Sequence, residues 1–163
     1  MQSVNIVAIE GFHNVTSSCT SAPPPPGNVV WAREMPSDTS LLSTFVVRTM
    51  EFCKCEGLVV FTSSEEENQL AICLREALEN AVQHGNGNNF SKMVSLKFFT
   101  GHESWGFVIR DQGAGFDPSS IVQPTSNEGL LRESGRGVGL MSHYMDSVEY
   151  FENGRVVFLT KHR

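Results

Sequence analysis

The sequence predicts an α+β domain in which helices cover one face of a mixed, mostly antiparallel sheet, and three observations carry that prediction. Apolar residues recur at helical spacing in two stretches between Asp38 and His84. Further on the period becomes strand-like: "KMVSLKFFT" and "WGFVIRD" flank a Gly-His-Glu-Ser turn, and "SVEYFE" and "RVVFLTKH" flank Asn153-Gly154, a strong hairpin signal. A third helical stretch, Gly137 to Met145, lies between the two hairpins. Hairpins and helices with one apolar side each are satisfied by two packed layers. At 163 residues, 40% of them apolar, the chain is long enough for one ordinary core and short for two.

Residues 1–28 read as an N-terminal extension, and 29–163 as the domain proper. "VNIVAI" can add an edge strand, while "NVTSSCTSAPPPPGN" concentrates Ser, Thr and Pro and reads as a linker or tail. Val29 to Arg33 is a strand that ends at a Pro turn. Ser37 or Asp38 then caps a helix running to about Cys55, with Leu41, Leu42, Phe45, Val46, Thr49 and Phe52 at helical spacing. Ser63 or Ser64 caps a second helix, expected from about Ser64 to His84, whose first turn carries Glu65, Glu66 and Glu67 at the positive end of the helix dipole.

Charge and cysteine content narrow the function. Twelve basic against 18 acidic side chains give a net charge of −6, with no basic footprint for direct nucleic-acid binding. No apolar run spans a bilayer and no leader pattern opens the chain, so a cytoplasmic location is the expectation. Cys19, Cys53, Cys55 and Cys73 lack zinc-type spacing and read as reduced thiols, partly buried.

The second helix, "LREALENAVQHGNGN", carries the first functional signal. At roughly 100° per residue, Leu70, Leu74, Ala77, Leu78, Ala81 and Val82 share one arc, while Arg75, Glu79 and Gln83 point away. Glu76, Asn80 and His84 line the border beside two small alanines. Alone this row reads as a solvated edge. Yet Asn is a poor helix former, and in mid-helix its side chain calls for a partner, which a divalent cation can supply.

Two glycine boxes follow. In "RDQGAGFDP", Asp111 stands at the mouth of a strand, and Gly113 and Gly115 let the backbone turn close to a flat ligand. Asp111 can accept from an exocyclic amine such as that of adenine; taken alone, the motif also reads as a type II turn with a capping Asp. In "SGRGVGLM", Gly135, Gly137 and Gly139 open a helix whose free N–H groups suit a phosphate. It matches neither the Walker loop nor the dinucleotide fingerprint. The long loop between the boxes is placed to act as a lid, from which Arg132 or Arg136 can reach phosphate oxygens.

In this order and spacing the motifs resemble the ATP-binding domain shared by gyrase, the large heat-shock chaperone, histidine kinases and MutL-type proteins, the GHKL group. "EALEN" resembles the N box, "DQGAGF" the first glycine box and "GRGVGL" the second. Residues 29–160 are most similar to the small anti-sigma factor serine kinases of the RsbW and SpoIIAB type, and the proline-rich segment has no counterpart there.

The resemblance implies a two-layer α/β sandwich of the Bergerat type, with ATP and Mg2+ as ligands. Glu76 would be the catalytic general base and Asn80 the Mg2+ ligand. His84, Asp111, Gly113, Gly115, Gly135, Arg136, Gly137, Val138, Gly139 and Leu140 would join Asn80 in binding ATP. It further implies a protein serine/threonine kinase that sequesters a sigma factor or similar regulator, phosphorylates a STAS-type antagonist, and pairs with a second copy of itself. Two alternatives stand beside it: a nucleotide-gated module that captures partners without catalysis, and the catalytic half of a two-component histidine kinase. The latter needs a helical hairpin bearing a phospho-accepting His, and only His13 precedes the domain, where no helix is expected.

Overall fold

The computed structural model describes residues 6–9, 11–121 and 136–163. Seven strands form one mixed sheet: β1 (Val7–Ala8), β2 (Val15–Ser17), β3 (Asn28–Pro36), β4 (Met93–Thr100), β5 (Ser104–Arg110), β6 (Ser147–Phe151) and β7 (Val156–His162). Their spatial order is β1-β2-β6-β7-β5-β4-β3, and every pairing is antiparallel except β2 with β6. The helices are α1 (Leu42–Cys55), α2 (Ser64–Asn80), the short α3 (Pro118–Ile121) and α4 (Arg136–Tyr144).

Local signals place the helix starts. Asp38 accepts from Ser40 N and caps a 3₁₀ turn that leads into α1. Ser63 caps α2 by accepting from Glu66 N, and the Glu66 carboxylate accepts from Thr62 N and Oγ1. Leu42, Val46, Met50 and Cys53 of α1 and Leu70, Leu74, Ala77 and Leu78 of α2 pack on alternate strand residues: Val94, Leu96 and Phe98, Phe107 and Ile109, Val148 and Tyr150, Val157 and Leu159. The helices therefore cover one face, as the patterning predicts. Burial pushes the Cys53 and Cys73 thiols up to about 11 and about 12, so neither is a nucleophile at neutral pH.

The N-terminal segment departs from its reading as a linker or tail. Within it Val15, fully buried, pairs with Val148, so β2 becomes a strand of the sheet rather than tether. From there the chain crosses the face the helices leave bare. Glu152 N and Asn153 N donate to Thr20 O and Ser18 O, and Ala22 packs on Phe99, Val108, Phe151, Val156 and Phe158. At the far side Gly27 presses on the Thr100 backbone, where a Cβ would lie 2.5 Å from the carbonyl. Ala22 and Pro25, three residues apart, are partly buried while Pro23, Pro24 and Pro26 are exposed, as a three-residue turn requires. Prolines suit the crossing because they bring no N–H onto an apolar face. Among the described residues no helix is long and apolar enough to cross a membrane.

Candidate functional site

α2 does not continue regularly to His84. After Asn80 one π turn, Ala81–Gly85, closes the helix. Its wider turn interrupts the four-residue row, and inserted π turns recur at functional sites. Glu76 and Asn80 remain on the wall, whereas His84 is exposed with its ring 5.9 Å from that of Phe116.

Glu76 is half-buried and faces the first turn of α4. A methyl group on Gly137 would overlap the Glu76 carboxylate, so glycine here lets the carboxyl seat directly on the first turn of α4. Burial raises the Glu76 pKa; the Glu79 charge adds to the shift and Arg75 opposes it. The same contact sets this carboxyl beside the free N–H end of α4, the end that attracts anions.

Opposite the wall, Asp111 follows β5 and is 4% exposed. One carboxylate oxygen accepts from Gly113 N at 2.7 Å, and the Asp111 N–H donates to Arg155 O. Burial raises its pKa, partly offset by the Gly113 bond and by Arg155, Lys92 and Arg110. Gly113 lies against the Gly85 carbonyl so tightly that any side chain would collide with it, which fixes the first glycine box to the end of the π turn. Asn86 locks the same junction: its amide donates to Ser37 Oγ (2.6 Å) and Met93 O (2.9 Å), and its carbonyl accepts from Gln112 N (2.7 Å).

Between wall and box lies a pocket lined by Ala77, Asn80, Ala81, Ile109, Asp111, Phe116, Tyr150, Gly154, Arg155 and Val157. It leaves about 10 Å3, the room one water molecule needs. Two buried polar atoms in it, Asn80 Nδ2 and the Tyr150 hydroxyl, have no hydrogen-bond partner among the described residues. Gly115 lies beside Asn153, whose carbonyl accepts from Phe116 N at 2.7 Å. On α4, Val138 is buried in the core, Gly139 faces Phe12, and the Leu140 carbonyl lies 3.9 Å from Cys73 Sγ. Arg136 is the first residue of α4. Gly135, Arg132 and the lid expected between the boxes lie outside the described residues, apart from α3 at its start.

A family model described as a histidine kinase-like ATPase domain matches residues 35–161. The chain belongs to this family. It is also similar to the anti-sigma F factors of Bacillus thuringiensis (strain Al Hakam), Bacillus mycoides (strain KBAB4) and Bacillus cereus (strain AH187). Each is 31% identical over 103 residues, covering 60% of this chain and 70% of the relative.

Several residues that line this pocket or lock its edge carry no sign of it in the sequence, even where, like Phe116, they fall inside a motif. Asn86 follows Gly85 in a run that reads simply as a helix stop. Tyr150 alternates with Val148 on the helix-facing side of β6, a pattern that signals core and nothing more. Its one visible clue is a hydroxyl in an otherwise apolar row. Phe116 and Arg155 reach the pocket only through the way the first glycine box and the β6–β7 turn meet.

Proposed function

We propose that the chain binds Mg-ATP between α2, the first glycine box and the start of α4, and acts as an anti-sigma protein serine/threonine kinase. The observation that carries this reading is the seating of the Glu76 carboxyl against Gly137, which joins a carboxylate of raised pKa to an anion-attracting helix end. The family match and the likeness to anti-sigma F factors support it. The ATP-binding unit comprises residues 29–163, and residues 1–28 brace it.

Asn80 suits Mg2+: it closes α2 with an amide nitrogen that has no hydrogen-bond partner among the described residues and lies beside Tyr150, and its carbonyl oxygen would serve the metal. Among the described residues no cluster of three or more His, Cys, Asp or Glu side chains could hold a metal ion, and Asn80 is the residue that would hold Mg2+. The chemistry Mg2+ supplies when bound is charge neutralisation on the phosphates. The protein's part is positional. Asp111 accepts from the adenine amine, and Phe116 and Arg155 swing outward to admit the base, since the pocket is now water-sized. The N–H groups at the start of α4, with Gly135, Arg136, Gly137, Val138, Gly139 and Leu140 supplying the turn, hold the phosphates.

Glu76 accepts the proton of the attacking serine or threonine hydroxyl. Its raised pKa makes it a stronger base than an ordinary carboxylate, and protonation disables it as the pH falls through that value. The protein partners are a sigma factor or similar regulator, which is sequestered, a STAS-type antagonist, which is phosphorylated, and a second copy of the chain. The setting is cytoplasmic. Incubation with labelled ATP and a candidate antagonist tests the reading: transfer by wild type and none by Glu76→Ala is expected, and equal transfer by both would overturn it. ATP binding without transfer to any antagonist would favour the capture-only module.

A further inference from the structure

We propose that Tyr150 reads the nucleobase: its hydroxyl accepts a hydrogen bond from Asn80 Nδ2 and donates one to a ring nitrogen of the purine whose amine Asp111 accepts. This rests on the nucleotide reading above and adds to it a recognition residue that lies in no motif.

The case starts from two atoms. Tyr150 is 2% exposed, and among the described residues its hydroxyl has no hydrogen-bond partner; Asn80 Nδ2, also enclosed, has none either. Buried polar groups are almost always hydrogen-bonded, because leaving one unmet forfeits its bond with water. Two orphans in one pocket therefore call for a common explanation. They face each other, yet short of hydrogen-bond geometry. Both line the cavity that Asp111 closes on its other side.

The chemistry of the three groups is complementary to one edge of a base. Asp111 has one oxygen occupied by Gly113 N and one left to accept. A tyrosine hydroxyl can accept one bond and donate another, whereas the amide nitrogen only donates. If Asn80 donates to Tyr150, the hydroxyl proton is left for the ligand, and the Asn80 carbonyl stays turned toward the phosphate side. What remains in the pocket is one acceptor and one donor. Adenine offers the match, an exocyclic amine with acceptor nitrogens N1 and N7 on either side of it. Hypoxanthine replaces that amine with a carbonyl, which the Asp111 carboxylate repels.

Val157 pairs with Tyr150 across β6 and β7, and Val148 shares its core, so strand packing fixes the ring whatever the hydroxyl does and wherever Phe116 turns. Removing the oxygen alone is therefore a clean test. Tyr150→Phe is expected to fold with an unchanged or higher thermal midpoint, since it removes a buried unmet group, and to bind Mg-ATP about tenfold more weakly. Of 1-deaza-ATP and 7-deaza-ATP, the one lacking the bonded nitrogen should lose a similar factor on wild type and nothing further on Tyr150→Phe. Wild type should bind ITP more weakly than ATP. The inference is overturned if Tyr150→Phe binds ATP within twofold of wild type, or loses the same factor for both deaza analogues as for ATP. If wild type binds no adenine nucleotide at all, the nucleotide reading itself has failed.

Discussion

Asn14 and Asn80 are the same side chain put to opposite uses. Asn14, in the β1–β2 turn, donates through Nδ2 to the carbonyls of Ser142 (2.8 Å), Met145 (2.9 Å) and Asp146 (3.4 Å), and accepts from Ser142 Oγ at 2.6 Å. It thereby ties the N-terminal hairpin to the end of α4, meeting carbonyls that a helix terminus leaves bare. Asn80, at the end of α2, has an amide nitrogen that faces the Tyr150 hydroxyl and has no hydrogen-bond partner among the described residues. A polar group whose partners all lie within the protein contributes stability, and one left unmet in a pocket waits for a ligand. On this contrast the N-terminal hairpin is a brace, and the α2 wall is the proposed site.

Substitutions that separate binding, catalysis and stability can break this contrast. The largest effect is expected at Glu76. Glu76→Gln should lower phosphotransfer by about 10²–10⁴-fold, the range for losing a general base, while Mg-ATP binding persists; comparable turnover would remove Glu76 from the chemistry. Next, Asn80→Ala should weaken Mg-dependent ATP binding by at least about 100-fold, because even residues behind metal ligands cost 10–100-fold. Its thermal midpoint should not fall, and a large fall would make Asn80 structural. Asn14→Ala reverses the pattern: about 2 kcal/mol of stability lost for the unmet carbonyls, a midpoint lower by roughly 5 °C, and a smaller change in ATP affinity than Asn80→Ala gives.

A smaller effect concerns pH. Because folding raises the Glu76 pKa above its unfolded value, its contribution to stability is fully present below the unfolded value and is lost as pH rises through the folded one. Denaturant titrations across that window should show Glu76→Gln losing less stability on the alkaline side than wild type; parallel curves would deny the shift. The smallest effect is expected from Lys54→Ala, which removes an exposed ion pair to Glu67 (2.9 Å) and should cost under about 1 kcal/mol by the same titration.

Sequence and structure agree where the signal is local. Glu76 and Asn80 fall on a helix border whatever the rest of the chain does, and closely spaced glycines mark Gly113 and Gly137 as close-approach positions. The hairpin at Asn153-Gly154 is equally legible, with both residues at positive φ. What stayed hidden depends on partners far along the chain. β2 has only three residues, and its strand character comes from pairing with β6. The π turn leaves no sequence mark, so the four-residue spacing extends the row to His84, whereas in the structure it stops at Asn80. Tyr150 reads as core because strand alternation reports burial, and the isolation of its hydroxyl emerges only when α2 closes over it. The proline run looked like a spacer for the same reason, since nothing near it in sequence shows the apolar face it crosses.

The most direct test of the site is calorimetric titration of Mg-ATP into wild type and Asn80→Ala, with thermal midpoints measured on the same samples. The expected result is saturable binding by wild type that depends on Mg2+, loss of that binding in Asn80→Ala, and no drop in its midpoint. Equal affinity in the two proteins, or no binding by wild type, would contradict a Mg-ATP site on this wall.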